Sequence, residues 1–82
     1  MKIITTDEIK DLLESRHIAT LEIEAAISNA ESAGKKLYQE DSNRLLAKLN
    51  IGGVTFYVEY FPIEKDSYHV LSAYAIRSLI KD

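Results

Sequence analysis

The chain has 82 residues, 46% of them hydrophobic and 28% charged, with a net charge of −3 and no cysteine. This length predicts one domain, residues 1–82, and this composition excludes wholesale disorder. The acidic balance argues against a nucleic-acid partner, because such binding depends on Lys and Arg contacts to phosphate, and the lack of cysteine excludes disulfides and cysteine-based zinc sites.

The beginning of the chain lacks the apolar segment of a signal peptide, and no run reaches the roughly 18–20 apolar residues needed to cross a bilayer. We therefore expect a cytoplasmic protein without membrane association. The two histidines, His17 and His69, do not have the spacing of metal ligands, and no glycine-rich phosphate loop connects a strand to a helix. We expect neither a metal nor a cofactor.

A first helix is predicted near the N-terminus, after residues 1–4, which the pattern leaves open as a short strand or a lead-in. Thr5 and Glu8 have the spacing of a capping box, so the helix should begin near Thr5 or Thr6. Apolar residues at helical spacing end near Ser15 or Arg16, which makes an amphipathic helix of about three turns.

A second helix is predicted between Thr20, a candidate N-cap, and Gly34, a residue type that commonly ends helices. Its apolar positions recur at spacings of three and four: Leu21, Ile23, Ala26, Ile27, Ala30 and Ala33. The small alanines would let a sheet approach this helix closely.

Residues 44–61 form the strongest strand pattern, because two alternating runs flank the pair Gly52-Gly53. Glycine tolerates the positive φ of a two-residue hairpin turn, so a β-hairpin is predicted in which Ile51 faces Val54. One face, predicted to be core, carries Leu45, Ala47, Leu49, Ile51, Val54, Phe56, Val58 and Tyr60. The other carries Leu46, Lys48, Asn50, Thr55, Tyr57, Glu59 and Phe61.

Further strands are predicted on both sides of this hairpin. Residues 36–39 are a candidate strand, and the turn-forming residues 40–43 separate it from the hairpin. Pro62 cannot donate a ladder hydrogen bond, so its strand should end there or run along a sheet edge. Residues 64–67 predict a second turn before a last strand at 68–80, which could have a helical or frayed tail after Arg77.

The facing of the last strand depends on the length of that second turn. A four-residue loop places Leu71, Ala73 and Ala75 on the core face, whereas a three-residue loop places Val70, Ser72, Tyr74 and Ile76 there, since a slip of one residue inverts every side chain. We favour the four-residue loop. The predicted fold class is α+β, with two N-terminal helices packed on one face of a three- to four-stranded antiparallel β-meander.

Five tyrosines are the most unusual chemical feature of the chain, and most fall on the predicted strands. Tyr57 and Phe61 share the non-core face, with Lys48 near them and Tyr74 joining them if the four-residue loop is correct. Aromatic rings interleaved with basic groups can anchor a partner. The alternative is that these tyrosines only pack on the sheet and keep their hydroxyl groups in water.

The segment RHIATLEIEAAI, from Arg16 to Ile27, resembles the R-G-I-S-x-x-E-I-x-x-A-I stretch of small uncharacterised prokaryotic domains of the RelE/BrnT toxin-like group. Residues 70–74, VLSAY, are similar to the strand on which those domains end. The resemblance implies two helices followed by an antiparallel sheet. The chain departs from the family pattern at Glu8 and Leu12, where a histidine and an arginine are usual, and at His17, where a glycine is usual.

Two functional hypotheses follow. The first is a small non-catalytic binding module that uses its sheet face or an edge strand, with Tyr57, Phe61, Tyr74 and Lys48 as binding residues and a protein partner or a second copy as ligand. The second, implied by the resemblance, is a RelE-like ribonuclease toxin or a degenerate relative of one. Its candidate catalytic residues are His69, Tyr74 and Arg77.

Overall fold

Helices and strands follow one another as the pattern predicts in a computed structural model that describes residues 1–34, the backbone of 37–38, and residues 43–77. The helices are α1 (Asp7–Ser15) and α2 (Thr20–Ala33). The strands are β1 (Lys2–Ile4), β2 (Leu37–Tyr38), β3 (Leu45–Ile51), β4 (Val54–Glu64) and β5 (Ser67–Arg77). The α+β class is confirmed. Most of the predicted turn at 40–43, and the predicted strand beyond Arg77, lie outside the described residues.

The β3–β4 hairpin has the predicted turn and register. Gly52 and Gly53 have φ values of 57° and 86°, as a type I′ turn requires. Ile51 pairs with Val54, and the register continues to Leu45 opposite Tyr60. The two faces of the hairpin are therefore those that the alternation of the sequence predicts.

Helix α1 begins one residue later than a Thr5–Glu8 capping box would place it. Thr6 is the N-cap, and its hydroxyl oxygen accepts a hydrogen bond from the backbone N–H of Ile9 at 3.2 Å. Glu8 is therefore the second helical residue and cannot complete the box, which needs an acid at the third. The predicted end near Ser15 is confirmed.

Helix α2 also differs by one residue at its start, because Ala19 rather than Thr20 is the N-cap. An alanine is tolerated there because the Glu22 carboxylate accepts a hydrogen bond from the Ala19 N–H at 2.8 Å, which is one half of a capping box. The helix ends at Gly34, whose φ of 68° is the left-handed conformation expected of a C-terminal glycine.

The sheet is mixed, which corrects the prediction of a purely antiparallel meander. Over the described residues its strand order is β1-β5-β4-β3-β2, and β1 lies parallel to β5 with Ile4 beside His69. The β3-β4-β5 part is antiparallel, as predicted. A three-residue strand has too few side chains to show alternation, and its partner lies more than sixty positions away, so sequence patterns could not place it.

A β-bulge decides the facing of β5, and neither predicted alternative is fully correct. Ala73 pairs with Val58 and Ala75 with Phe56, as the four-residue loop predicts, but Val70 rather than Leu71 pairs with Tyr60. Leu71 is the additional residue, and the phase of the strand changes there. The loop itself is shorter than predicted, since Glu64 pairs with Ser67 across a two-residue turn.

Strand β4 continues through Pro62 to Glu64. Its pairing with β3 reaches only to Tyr60, so Pro62 lies where β4 has β5 as its one described strand neighbour. This is the edge position that the missing N–H of proline predicts. A second irregularity between Pro62 and Glu64 follows directly.

Both helices cover the same side of the sheet, where one core forms. Helix α2 lies on β3 and β4, and α1 lies on β5. Ala26 and Ala30 on the helix and Ala47 on the sheet are fully buried, so small side chains bring the two layers close together. Tyr60 is also fully buried, and its hydroxyl group donates a hydrogen bond to Glu31 Oε2 at 2.6 Å.

Replacing Tyr60 by phenylalanine tests this buried hydroxyl group. We expect Tyr60→Phe to lower the free energy of unfolding by about 1–2 kcal/mol, because it removes a hydrogen bond to a carboxylate. Urea denaturation followed by circular dichroism measures the change. Tyr74→Phe removes a hydroxyl group from an exposed ring and should leave the free energy of unfolding nearly unchanged. Equal losses of stability in the two variants would contradict a stabilising role for the Tyr60 hydroxyl group.

An ion pair holds the start of β1 against the β4–β5 turn. The Met1 amine lies 2.8 Å from Asp66 Oδ2, and the Lys2 N–H donates to the Asp66 carbonyl oxygen at 2.8 Å. The hydrogen bond and the charge of Asp66 raise the pKa of the Met1 amine above its ordinary value of 8.0. Asp66 can hold this position because its φ of 62° suits a short polar residue.

This raised pKa predicts a pH-dependent stability in the chain that carries a free terminal amine. The ion pair contributes fully below the ordinary pKa of 8.0, and its contribution is lost as the pH rises through the raised value. Asp66→Asn removes the charge but tolerates the same φ. We expect wild type to exceed this variant in urea stability at neutral pH and to lose the advantage in alkali. An advantage that persists in alkali would contradict the assignment.

Candidate functional site

The side of the sheet away from the helices carries an ordered set of side chains, which we call the open face. Its residues form four rows across the strands, because paired positions lie side by side. From the Gly52-Gly53 end, the rows are Asn50-Thr55-Ile76, Lys48-Tyr57-Tyr74, Leu46-Glu59-Ser72 and Phe61-His69-Ile4. No described element packs on this face, since the contacts of both helices are with the opposite side.

The second row is a stack of two tyrosines beside a lysine. The rings of Tyr57 and Tyr74 have centroids 4.9 Å apart and planes inclined by 16°. The Lys48 Nζ atom lies 5.8 Å from the centroid of the Tyr57 ring, within the range of a cation–π contact. The two rings therefore hold each other in place and form a flat, ordered surface.

The fourth row contains a second ring pair at the other end of the face. Phe61 and His69 stack with centroids 5.0 Å apart and planes inclined by 26°. Ile4 of β1 lies beside His69 and extends the row. The open face thus has two apolar bands, which lie four residues apart along β4, at Tyr57 and Phe61.

The Leu46-Glu59-Ser72 row separates these bands. Glu59 lies within it, and Arg44 Nη1 approaches Glu59 Oε1 at 3.7 Å. This pair neutralises the acidic charge of the row locally, so the face as a whole is close to neutral. At its outer margin Tyr74 is 42% exposed and Ile76 is 52% exposed. Large apolar side chains therefore meet solvent together rather than singly.

The predicted binding residues lie on one surface: Tyr57, Phe61, Tyr74 and Lys48 all belong to the open face. The structure adds His69 and Ile4 to them. The three residues of the catalytic alternative do not converge. His69 and Tyr74 are on the open face, whereas Arg77 lines a cavity on the helix side, and eight strand positions separate it from His69, roughly 25 Å.

That cavity, which we call the basic cavity, lies between the α1–α2 turn and the ends of β4 and β5. Its volume is about 320 Å³. It is lined by Arg16, His17, Glu22, Val54, Phe56, Ala75 and Arg77. The cluster joins two arginines and a histidine from opposite ends of the chain, and sequence reasoning did not find it.

The C-terminal end of α1 places His17 in this cavity. The N–H of Ile18 donates to the Leu13 carbonyl oxygen and the N–H of His17 to that of Glu14, which together form a Schellman motif. Its central residue is normally glycine, but here it is His17 with a φ of 56°. A residue with a Cβ atom therefore occupies a left-handed backbone position that favours glycine.

Replacing His17 by glycine should stabilise the protein. We expect His17→Gly to raise the free energy of unfolding by about 0.5–1 kcal/mol, because relief of the left-handed strain exceeds the extra entropy of the unfolded chain. His17→Ala is the matched control, since it removes the imidazole but keeps the strain, and it should not gain. Urea denaturation compares the three proteins, and equal stabilities of the two variants would contradict the expectation.

Arg16 closes part of the outer edge of β5. Its Nη1 group donates a hydrogen bond to the Ala73 carbonyl oxygen at 2.7 Å. At the start of β5, from Ser67 to His69, this edge is occupied by β1. An added strand would thus meet β1 first and then the Arg16 side chain, so this edge does not offer a continuous run of unpaired backbone groups.

The other observations on the described residues do not add a site. Another cavity, about 390 Å³, lies between β1, α1 and α2, and its lining combines apolar residues such as Ile3, Leu13 and Ile23 with Lys10 and Glu14. No group of three or more His, Asp or Glu side chains in the described part could hold a metal ion. No helix there is long and apolar enough to cross a membrane.

Comparison with known proteins gives no match: no family model, no curated protein and no solved structure is significantly similar to this chain. The resemblance to the RelE/BrnT toxin-like group therefore stays a prediction.

Proposed function

We propose that the chain is a small non-catalytic interaction module that binds another protein through its open face. The observation that carries this proposal is the pair of stacked ring sets, Tyr57–Tyr74 and Phe61–His69, on a sheet face that no described element covers. A sheet face that only meets water normally carries polar side chains, so rings at these positions favour contact with a partner.

The restricted motion of the rings supports the interpretation that they bind a partner rather than only lie exposed to water. Each ring pair is held by cross-strand stacking and by the sheet backbone, so little conformational entropy remains to be lost when a partner binds. Tyrosine is also among the residue types that contribute most to protein interfaces. The near-neutral charge of the face favours a partner surface that is apolar rather than strongly charged.

The area of the face predicts a weak or transient complex. Four strands about 4.8 Å apart and about 20 Å of strand length give roughly 400 Å², whereas a stable interface buries about 800 Å² on each partner. A second copy of the chain is the simplest occupant, because two such faces would be self-complementary about a two-fold axis.

The open face is a better candidate than the edge of β5. Strand addition needs a continuous run of unpaired backbone groups, but β1 occupies the start of that edge and Arg16 binds the Ala73 carbonyl group. The ribonuclease alternative also receives less support, since Arg77 lies far from His69 and on the other side of the sheet. General acid–base chemistry on one phosphate would need these groups together.

A double variant of the second row tests the proposal. Tyr57→Thr/Tyr74→Thr removes both rings but keeps residues that favour strands. We expect the association constant of the dimer, measured by sedimentation equilibrium, to fall roughly thirtyfold, equivalent to about 2 kcal/mol. The reason is that the rings would form the centre of the interface.

Leu21→Ala is the matched control for this experiment, because Leu21 is 76% exposed on α2, away from the open face. It should leave self-association unchanged. If wild type is strictly monomeric, the same three proteins are compared by cross-linking in lysate of the source cells. Identical sets of captured proteins for wild type and the double variant would then refute the proposal.

A further inference from the structure

We propose that the basic cavity is a binding site for a phosphate group, held by Arg16, His17 and Arg77. This site is on the helix side of the sheet and is independent of the interaction proposed for the open face. It rests on three observations: the charge that converges in the cavity, the strained backbone of His17, and the size and position of the cavity.

The charges lining the cavity are predominantly positive. Arg16 and Arg77 contribute two guanidinium groups, while Glu22 contributes the single carboxylate. One oxygen of that carboxylate already accepts the Ala19 N–H at 2.8 Å, so the helix cap holds it in place. The net charge of the chain is −3, so two arginines at one cavity give this part of the surface a positive charge that the chain as a whole does not have. Such a local charge favours an anionic ligand.

The guanidinium groups retain donors for a ligand. Arg16 uses its Nη1 group for the Ala73 carbonyl oxygen, which orients the guanidinium plane and leaves other N–H groups of the fork available. Among the described residues, no carboxylate lies within ion-pair distance of the exposed Arg77 side chain. A planar fork that is already oriented matches two oxygens of a phosphate group.

His17 supplies the third donor at a cost in backbone strain. Glycine would fit the Schellman position without strain, yet the structure has His17 there with a φ of 56°, and His17 is one of the residues that line the cavity. A residue held in an unfavourable conformation beside two arginines points to a role for its side chain. An imidazole N–H can donate to a phosphate oxygen.

The cavity has room for more than a bare ion. Its volume, about 320 Å³, is at the lower end of the range for small-molecule sites, and Val54 and Phe56 form an apolar wall beside the charged groups. A phosphate on a small organic group would place its charge against the arginines and its apolar part against this wall. The phosphate could equally belong to a nucleic-acid backbone, and the experiment separates these sources.

The test is a titration of the 15N-labelled protein at constant ionic strength with three probes: inorganic phosphate, adenosine 5′-monophosphate and a short single-stranded RNA. We expect the amide signals of residues 16–17 and 75–77 to shift and saturate in the millimolar range with at least the first two. RNA binding at the same signals, weakening steeply with salt, would assign the site to a nucleic-acid phosphate.

Arg77→Gln should weaken phosphate binding about tenfold, because it removes a charged donor without touching the core. Lys65→Gln is the matched control: it removes the same charge at the opposite end of the sheet and should bind as wild type does. His17→Gly should be more stable than wild type and yet bind phosphate less tightly, an outcome that loss of folding cannot produce.

Three results would overturn the proposal. The first is the absence of saturable shifts at residues 16–17 and 75–77 with every probe. The second is equal weakening by Arg77→Gln and Lys65→Gln, which would show only a non-specific charge effect. The third is unchanged phosphate affinity in His17→Gly, which would leave His17 as a helix-end residue and remove the third donor of the site.

Discussion

The left-handed conformation of two adjacent glycines is the constraint on which the rest of the sheet depends. Gly52 and Gly53 have φ values of 57° and 86°, and residues with a Cβ atom adopt two such values in succession only with strain. The turn they form sets Ile51 opposite Val54 and thereby the whole register of β3 and β4. A slip of one residue would bury Tyr57 under the helices and expose the present core face.

The bulge at Leu71 is the second constraint, and it completes the open face. Without it, strict alternation would place either Ala73 or Val70 on the helix side, but not both. The bulge lets both contribute to the core, and the same change of phase turns His69 toward Phe61. The second ring pair of the open face therefore exists because β5 is irregular.

The sequence predicts the features that depend on residues close together in the chain and misses those that depend on residues far apart in it. The glycine turn, the helix ends and the register of β3 with β4 depend on neighbours in the chain, and these were predicted within about one residue. The parallel pairing of β1 with β5 and the Arg16–Ala73 hydrogen bond join residues more than fifty positions apart. Such contacts exist only once the fold has formed, so no local pattern encodes them.

The same division applies to the two candidate sites. Alternation places Tyr57 and Phe61 on one surface, whereas the side of Tyr74 depended on a turn length that the sequence left open, and the addition of His69 and Ile4 required the structure. The basic cavity joins the α1–α2 turn to the last described residue of β5, and no spacing in the sequence predicts that proximity. The one signal of this cavity that lies within a short stretch of sequence is His17, which occupies a helix-end position that favours glycine.

Arg16 connects the stability of the sheet edge to the proposed phosphate site. Its guanidinium group binds the Ala73 carbonyl oxygen, and both Arg16 and Arg77 line the basic cavity. A phosphate bound in the cavity would pair with both arginines and hold Arg16 against the edge. A ligand that binds only the folded state stabilises it by mass action, so phosphate would strengthen the closure of the edge. Occupancy of the cavity and protection of the β5 edge should therefore rise together.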